Sequence, residues 1–179
     1  MTMKPARSQS SRIWTERLRD GLVVQVRPLL PQDCNRERAF LAHLPEENLA
    51  QRFVGLVKPI DEAVVRDLTC PAPECEATIG AFVPVEGGEI EVGVAAYVTR
   101  PDGVHCDCTV TVDPDWQKLG VGRVLMKHLI EIAREHGIRR MYAMTECHTG
   151  AHALGEYLGF HSRPDPEDPH VTTFELVLH

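Results

Sequence analysis

The stretch of this chain best suited to chemistry is Gln117-Lys118-Leu119-Gly120-Val121-Gly122-Arg123, where two glycines stand two residues apart. Glycine lets the backbone come close to a bulky anion, and a helix that starts there aims unpaired N–H groups and its positive dipole end at that anion. Such a turn cradles a phosphate. On these residues alone, a plain loop running into a helix stays equally open. A second run of reactive types lies just upstream, where His105, Cys106, Asp107 and Cys108 follow one another. On a strand, Cys106 and Cys108 share the face opposite Asp107. Their Cys-x-Cys spacing does not match a zinc knuckle, and Cys70 and Cys75 belong to a distant loop. The thiols therefore read as small buried hydrophobes, and no metal site is expected. His148, His152 and His161 add no ligand pattern.

The elements that position these residues follow from periodicity. Val110-Thr111-Val112 reads as the end of a strand, Asp113-Pro114-Asp115 as a break, and Val121, Val124, Leu125, Leu129, Ile132 and Ala133 as the apolar stripe of a helix ending near His136-Gly137. Ile138 to Thr145 reads as the next strand. Upstream, Leu22 to Arg27 is a first strand, Asp33 caps a helix to about His43, Glu46 to Val54 forms a short helix, and Asp61 to Leu68 another. Thr69 to Glu76 is an irregular loop. Ala77 to Val85 and Ile90 to Thr99 make a hairpin through Glu86-Gly87-Gly88-Glu89, and Val104 to Val112 pairs onto it after Arg100-Pro101-Asp102-Gly103. Thr149 to Leu158 reads as a last helix and Val171 to Leu178 as a last strand. Residues 1–16 read as a flexible arm and 17–179 as one domain.

Composition narrows the class. A chain of 179 residues with 43% apolar and 25% charged residues buries a core without a staple. Its net charge of −7 argues against nucleic acid as the main partner and mildly favours a basic one, such as an amine or a lysine. No segment is long enough to cross a membrane, and no signal-peptide core stands near the start. The six cysteines accordingly read as reduced thiols of a cytoplasmic protein.

The strand, the Gln117-x-x-Gly120-x-Gly122 turn and the helix together resemble the acetyl-CoA signature of the GNAT superfamily of N-acetyltransferases, and Leu158-Gly159-Phe160 resembles its closing motif. Leu18-Arg19-Asp20-Gly21, Val26-Arg27-Pro28-Leu29, Leu44-Pro45-Glu46-Glu47-Asn48 and Arg52-Phe53 are similar to one branch, the bacterial protein lysine acetyltransferases. The resemblance implies an α/β fold with a mixed, mostly antiparallel, seven-stranded sheet flanked by helices and splayed beside the anion turn. It implies acetyl-CoA as cosubstrate and direct transfer to an amine, most of all a protein lysine. A small-molecule amine and a noncatalytic acyl-CoA sensor are the alternatives, and a homodimer is left open.

The same resemblance assigns roles. Backbone amides near Val110 and Val112 bond pantetheine and thioester; those of Lys118, Gly120, Gly122 and Arg123 hold the pyrophosphate; Gln117 orders the turn. Asp107 takes the place of the branch's glutamate base. Being one methylene shorter, it reaches about 1.5 Å less far, so it accepts the proton through a water. Two positions depart from the family pattern. Gly155 stands where many relatives carry a tyrosine acid, with Tyr157 about 200° further round the helix. His148 stands where an asparagine usually contacts pantetheine.

Overall fold

The computed structural model describes residues 12–45, 62–72, 75–146, 150–168 and 170–179. Eight strands form one sheet: β1 Trp14–Arg17, β2 Val23–Pro28, β3 Glu76–Val85, β4 Gly88–Thr99, β5 His105–Val112, β6 Arg140–Glu146, β7 His161–Pro164 and β8 Val171–Val177. Their order across the sheet is β1-β2-β3-β4-β5-β6-β8-β7. Every neighbouring pair is antiparallel except β5 and β6. Among the described residues four α-helices cover it: α1 Cys34–His43, α2 Glu62–Thr69, α3 Val121–Glu135 and α4 Ala151–Leu158. The sheet is thus mixed and mostly antiparallel, as expected, with eight strands instead of seven.

The differences have local causes. Trp14 to Glu16, placed by sequence in the arm, form with Arg17 a strand on β2; Trp14 stacks on His128 at 4.5 Å between ring centroids, which ties this edge to α3. Residues 1–11 of the arm lie outside the described residues, as do Glu46 to Val54 and Asp61. β7 has four exposed residues and no alternation to betray it. Asp33 precedes α1 but makes no side-chain cap; its buried carboxylate is taken instead by Arg27, Arg36 and the Leu30 N–H.

Two cores pack on opposite faces of the sheet. Along α3, Val121, Leu125, Leu129, Ile132 and Ala133 recur at helical spacing and are buried against Val92, Ala95, Cys106 and Cys108. α1 and α2 cover the other face, where Phe40, Leu41, Leu44 and Val65 meet Leu29, Phe82 and Val94. Burying each Val, Leu, Ile or Phe side chain among them contributes about 1.5–3 kcal/mol. Between Phe82↔Glu91 and Ala81↔Gly93 the register shifts, so Val92 is an extra residue that kinks β4 next to the end of β5.

Candidate active site

β5 and β6 pair over three rungs only, His105↔Arg140, Cys106↔Met141 and Asp107↔Tyr142. Beyond Asp107 the two strands part. The hydrogen bonds to β4 fix which way the β5 backbone points: Arg100 N–H donates to His105 C=O at one end and Asp113 N–H to Val92 C=O at the other. Since Gly93 lies opposite Val112 and Ala95 opposite Val110, the alternation of an antiparallel ladder turns the N–H and C=O of Cys108, Val110 and Val112 away from β4. They therefore face the opening. The Gln117 side-chain amide donates to Val112 C=O at 3.3 Å and ties the mouth of this opening to the following turn.

That turn is built for close backbone approach. Asp113 accepts the Asp115 N–H at 2.9 Å and starts a single turn, Pro114–Trp116. Trp116 and Leu119 pack on the core, and Arg19 N–H donates to Leu119 C=O at 3.1 Å from the β1–β2 loop. Lys118 and Gly120 both have positive φ, 64° and 105°, and a Cβ at Gly120 would have no neighbour within 4 Å. Gly122 does the opposite job: a Cβ there would touch Val112 and Leu154, both at 3.5 Å. The first backbone bond of α3 runs from Val124 N–H to Gly120 C=O at 3.1 Å, so the N–H groups of Val121, Gly122 and Arg123 project from the helix end. Val110, Val112, Gln117, Lys118, Gly120, Gly122 and Arg123 are thus brought together along one track, from the opening between the strands to the start of α3.

Asp107 sits at the vertex of that opening, in the last paired rung. Its exposed side chain points to the α1 side of the sheet, opposite the buried Cys106 and Cys108, and both oxygens accept from Arg100, at 2.9 Å from Nε and 2.6 Å from Nη2. Burial pushes the Cys106 thiol up to about 12 and the Cys108 thiol further, so both remain neutral fillers of the core. Tyr157 is exposed on α4 with the Arg123 guanidinium 3.7 Å above its ring, beside the turn and away from the vertex. His148 lies outside the described residues.

Sequence reasoning missed two features. Arg100, read as a turn residue, grips Asp107 and lies 4.2 Å over the ring of Tyr142. The hairpin register that sets Arg100 against His105 puts Asp107 at the diagonal position on the same face, which is the signal that could have found it. The second is a meeting of His43, at the end of α1, with Asp113 and Asp115, at 3.6 and 3.7 Å. These three side chains offer ligand atoms close enough together for a cation, a grouping no sequence spacing announced.

Comparison with known proteins agrees with this geometry. The model of the acetyltransferase (GNAT) family matches residues 46–160. An acetyltransferase of Pseudomonas aeruginosa is 35% identical over 166 residues, 92% of this chain and 89% of that protein. The ribosomal protein bS18 alanine N-acetyltransferase of Escherichia coli is 34% identical over 65 residues, 36% of this chain and 44% of its own. Among solved structures, the GNAT domain of S. lividans PAT superposes with a TM-score of 0.80 at 21% identity, over 93% of this chain and 97% of that one. A cAMP-binding acyltransferase from Mycobacterium smegmatis gives 0.64 at 19% identity, over 94% of this chain and 48% of its own. A sheet parted beside a glycine turn, in a chain matched by that family along most of its length, has one conclusion: the chain belongs to the acetyltransferase (GNAT) family.

Proposed function

We propose that this chain binds acetyl-CoA along the track from the α3 end to the vertex at Asp107 and transfers the acetyl group directly to an amine, with a protein lysine as acceptor. The observation that carries the reading is the outward-facing β5 edge at Cys108, Val110 and Val112, which leads through the single turn Pro114–Trp116 to the turn at Gly120. From Val112 to Asp107 that edge runs five residues, about 17 Å of extended chain. The pyrophosphate rests on the N–H groups of Lys118, Gly120, Gly122 and Arg123, and pantetheine adds itself to the β5 edge as a strand would. Edge N–H groups polarise the thioester carbonyl.

The amine must lose its proton before it attacks. Asp107 accepts it through a water, for its exposed carboxylate is open to solvent. The amine nitrogen then bonds to the acetyl carbon, the carbon–sulfur bond breaks, and CoA leaves as a thiolate that takes a proton from solvent. Asp113 extends from the same face as Asp107 and joins Asp115 in a negative wall that suits a cationic acceptor. The resemblance of Leu18-Arg19-Asp20-Gly21 and Val26-Arg27-Pro28-Leu29 to the lysine acetyltransferase branch supports lysine over a small amine.

Calorimetric titration with acetyl-CoA, followed by measurement of thiol release with a panel of lysine peptides and small amines, tests this reading. Binding with release on lysine peptides is expected. Release on small amines alone reassigns the acceptor, and binding without release on any acceptor makes the chain a sensor.

A further inference from the structure

Arg100 belongs to the turn between β4 and β5, outside the track described above, yet it reaches both strands at the vertex. Its Nε and Nη2 donate to the two oxygens of Asp107 on β5, at 2.9 and 2.6 Å, and its guanidinium lies 4.2 Å over the ring of Tyr142 on β6. Asp107 and Tyr142 are the last partners before the strands part. The guanidinium is therefore laid across the rung where the opening begins.

Its own anchorage is firm. Arg100 N–H donates to His105 C=O at 2.7 Å, and its C=O accepts from Gly103 N–H at 2.9 Å. Asp102 closes the turn by accepting the N–H groups of Val104 and His105 and the His105 ring nitrogen Nδ1. His105 in turn meets the edge of Tyr142, 6.0 Å between centroids. A single lysine ammonium could neutralise Asp107, but only a planar fork can fix both of its oxygens and cover a ring at once. A pair this exposed adds little to stability. Its value lies in orientation.

We propose that Arg100 is a positioning residue for the acetyl transfer: it locks the Asp107 carboxylate in one rotamer at the vertex, presenting its solvent edge to the water that relays the amine's proton. The proposal rests on the reading of Asp107 as proton acceptor. It adds that this short carboxylate works only because a second side chain holds it, one methylene short of where a glutamate would reach. Tyr142 acts as the table on which the guanidinium lies.

The test is a double-mutant cycle on the full chain with Arg100→Met, Asp107→Asn and both, read as initial thiol release from acetyl-CoA with the best acceptor of the peptide and amine panel. Arg100→Met is expected to lower kcat about tenfold, the size of a coupled contact pair, with the KM for acetyl-CoA unchanged. In the Asp107→Asn background it should cost less than about twofold, since the group it holds is gone. Arg100→Lys should restore only part of the rate. Equal factors in both backgrounds would overturn the positioning role while leaving Asp107 as the base. An Asp107→Asn variant at wild-type rate would remove the base itself. Where Arg100→Met does not fold, Arg100→Lys completes the same cycle. Where no acceptor turns over, proton–nitrogen NMR reads the clamp directly: the Arg100 Nε–H resonance, assigned by its loss in Arg100→Lys, should exchange slowly with water and become fast in Asp107→Asn. Fast exchange in the wild type would overturn the proposal.

Discussion

The ring of Phe174 occupies the space that a side chain at Gly155 would need: a Cβ built there falls 2.8 Å from both Cδ1 and Cε1. Phe174 is itself buried in the core under α4, so neither group can step aside cheaply. The tyrosine that many relatives carry at this place is therefore excluded by packing, and the helix meets β8 through its own backbone. Gly155→Ala should destabilise the fold by about 1–3 kcal/mol through overpacking, and Gly155→Tyr by more, with no gain in kcat. Thermal denaturation and thiol-release assays check both; a faster Gly155→Tyr enzyme would show that the missing acid limits the reaction.

Asp107→Ala should lower kcat by about 100-fold or more, the low end of what a general base contributes, with little change in acetyl-CoA affinity. The mutation removes an exposed side chain, so the melting temperature should hardly move. Steady-state kinetics with acetyl-CoA saturating, beside calorimetric titration, separates the two effects. An unchanged kcat would strike Asp107 from the mechanism.

Thiol chemistry should divide by burial. Cys70 and Cys75 are exposed, whereas Cys106 and Cys108 are buried with thiols pushed above their ordinary range by desolvation. A colorimetric disulfide reagent at pH 8 should modify the first two in the native protein and reach the second two only after unfolding. The same burial sets a pH dependence. The unfolded chain sheds these thiol protons at lower pH than the folded one, so stability should be intact below the ordinary thiol value and fall as pH rises from there towards about 12. Denaturant midpoints measured upward from pH 8 check the sign; a midpoint that climbs would contradict it.

His128 should matter to the edge of the sheet. Its ring is buried, stacked on Trp14, with Nε2 2.8 Å from Glu16 and Nδ1 3.1 Å from Glu131. His128→Ala removes the buried part of the link between β1 and α3, leaving the Lys127–Glu16 ion pair at 3.7 Å, and should cost about 1–3 kcal/mol. Hydrogen exchange should show the loss concentrated in residues 14–17; uniform loss would deny β1 this anchor.

The strand, turn and helix around Gly120 were legible because each carries a one-dimensional signal: β-branched residues, two glycines and a helical stripe. Two positive φ values, at Lys118 and Gly120, fall inside that turn, though Lys118 thereby takes a conformation usually left to glycine. The parting of β5 from β6 was visible only through the family resemblance, because Cys108 to Val112 read as strand whether or not a neighbour pairs with them. β7 was illegible, since its residues are all exposed and its pairing is entirely with β8. Asp33 misled in a different way. Its position is that of a cap, but the partners that won its carboxylate, Arg27 and Arg36, are tertiary or on the far side of the turn. The Arg100 clamp and the meeting of His43 with Asp113 and Asp115 needed the sheet register and the docking of α1 before they existed at all.

In the proposed function, the turn at Gly120 holds the pyrophosphate of acetyl-CoA. Calorimetric titration of the wild type, Gly120→Ala and Gly120→Glu tests it most directly. Any side chain at a φ of 105° adds strain, which the alanine variant measures by itself, while the glutamate adds bulk and negative charge where the phosphates would lie. Saturable binding by the wild type, weaker binding by Gly120→Ala and none by a folded Gly120→Glu is the predicted result. Gly120→Glu binding acetyl-CoA as tightly as the wild type, or a wild type that does not bind it, would contradict the account.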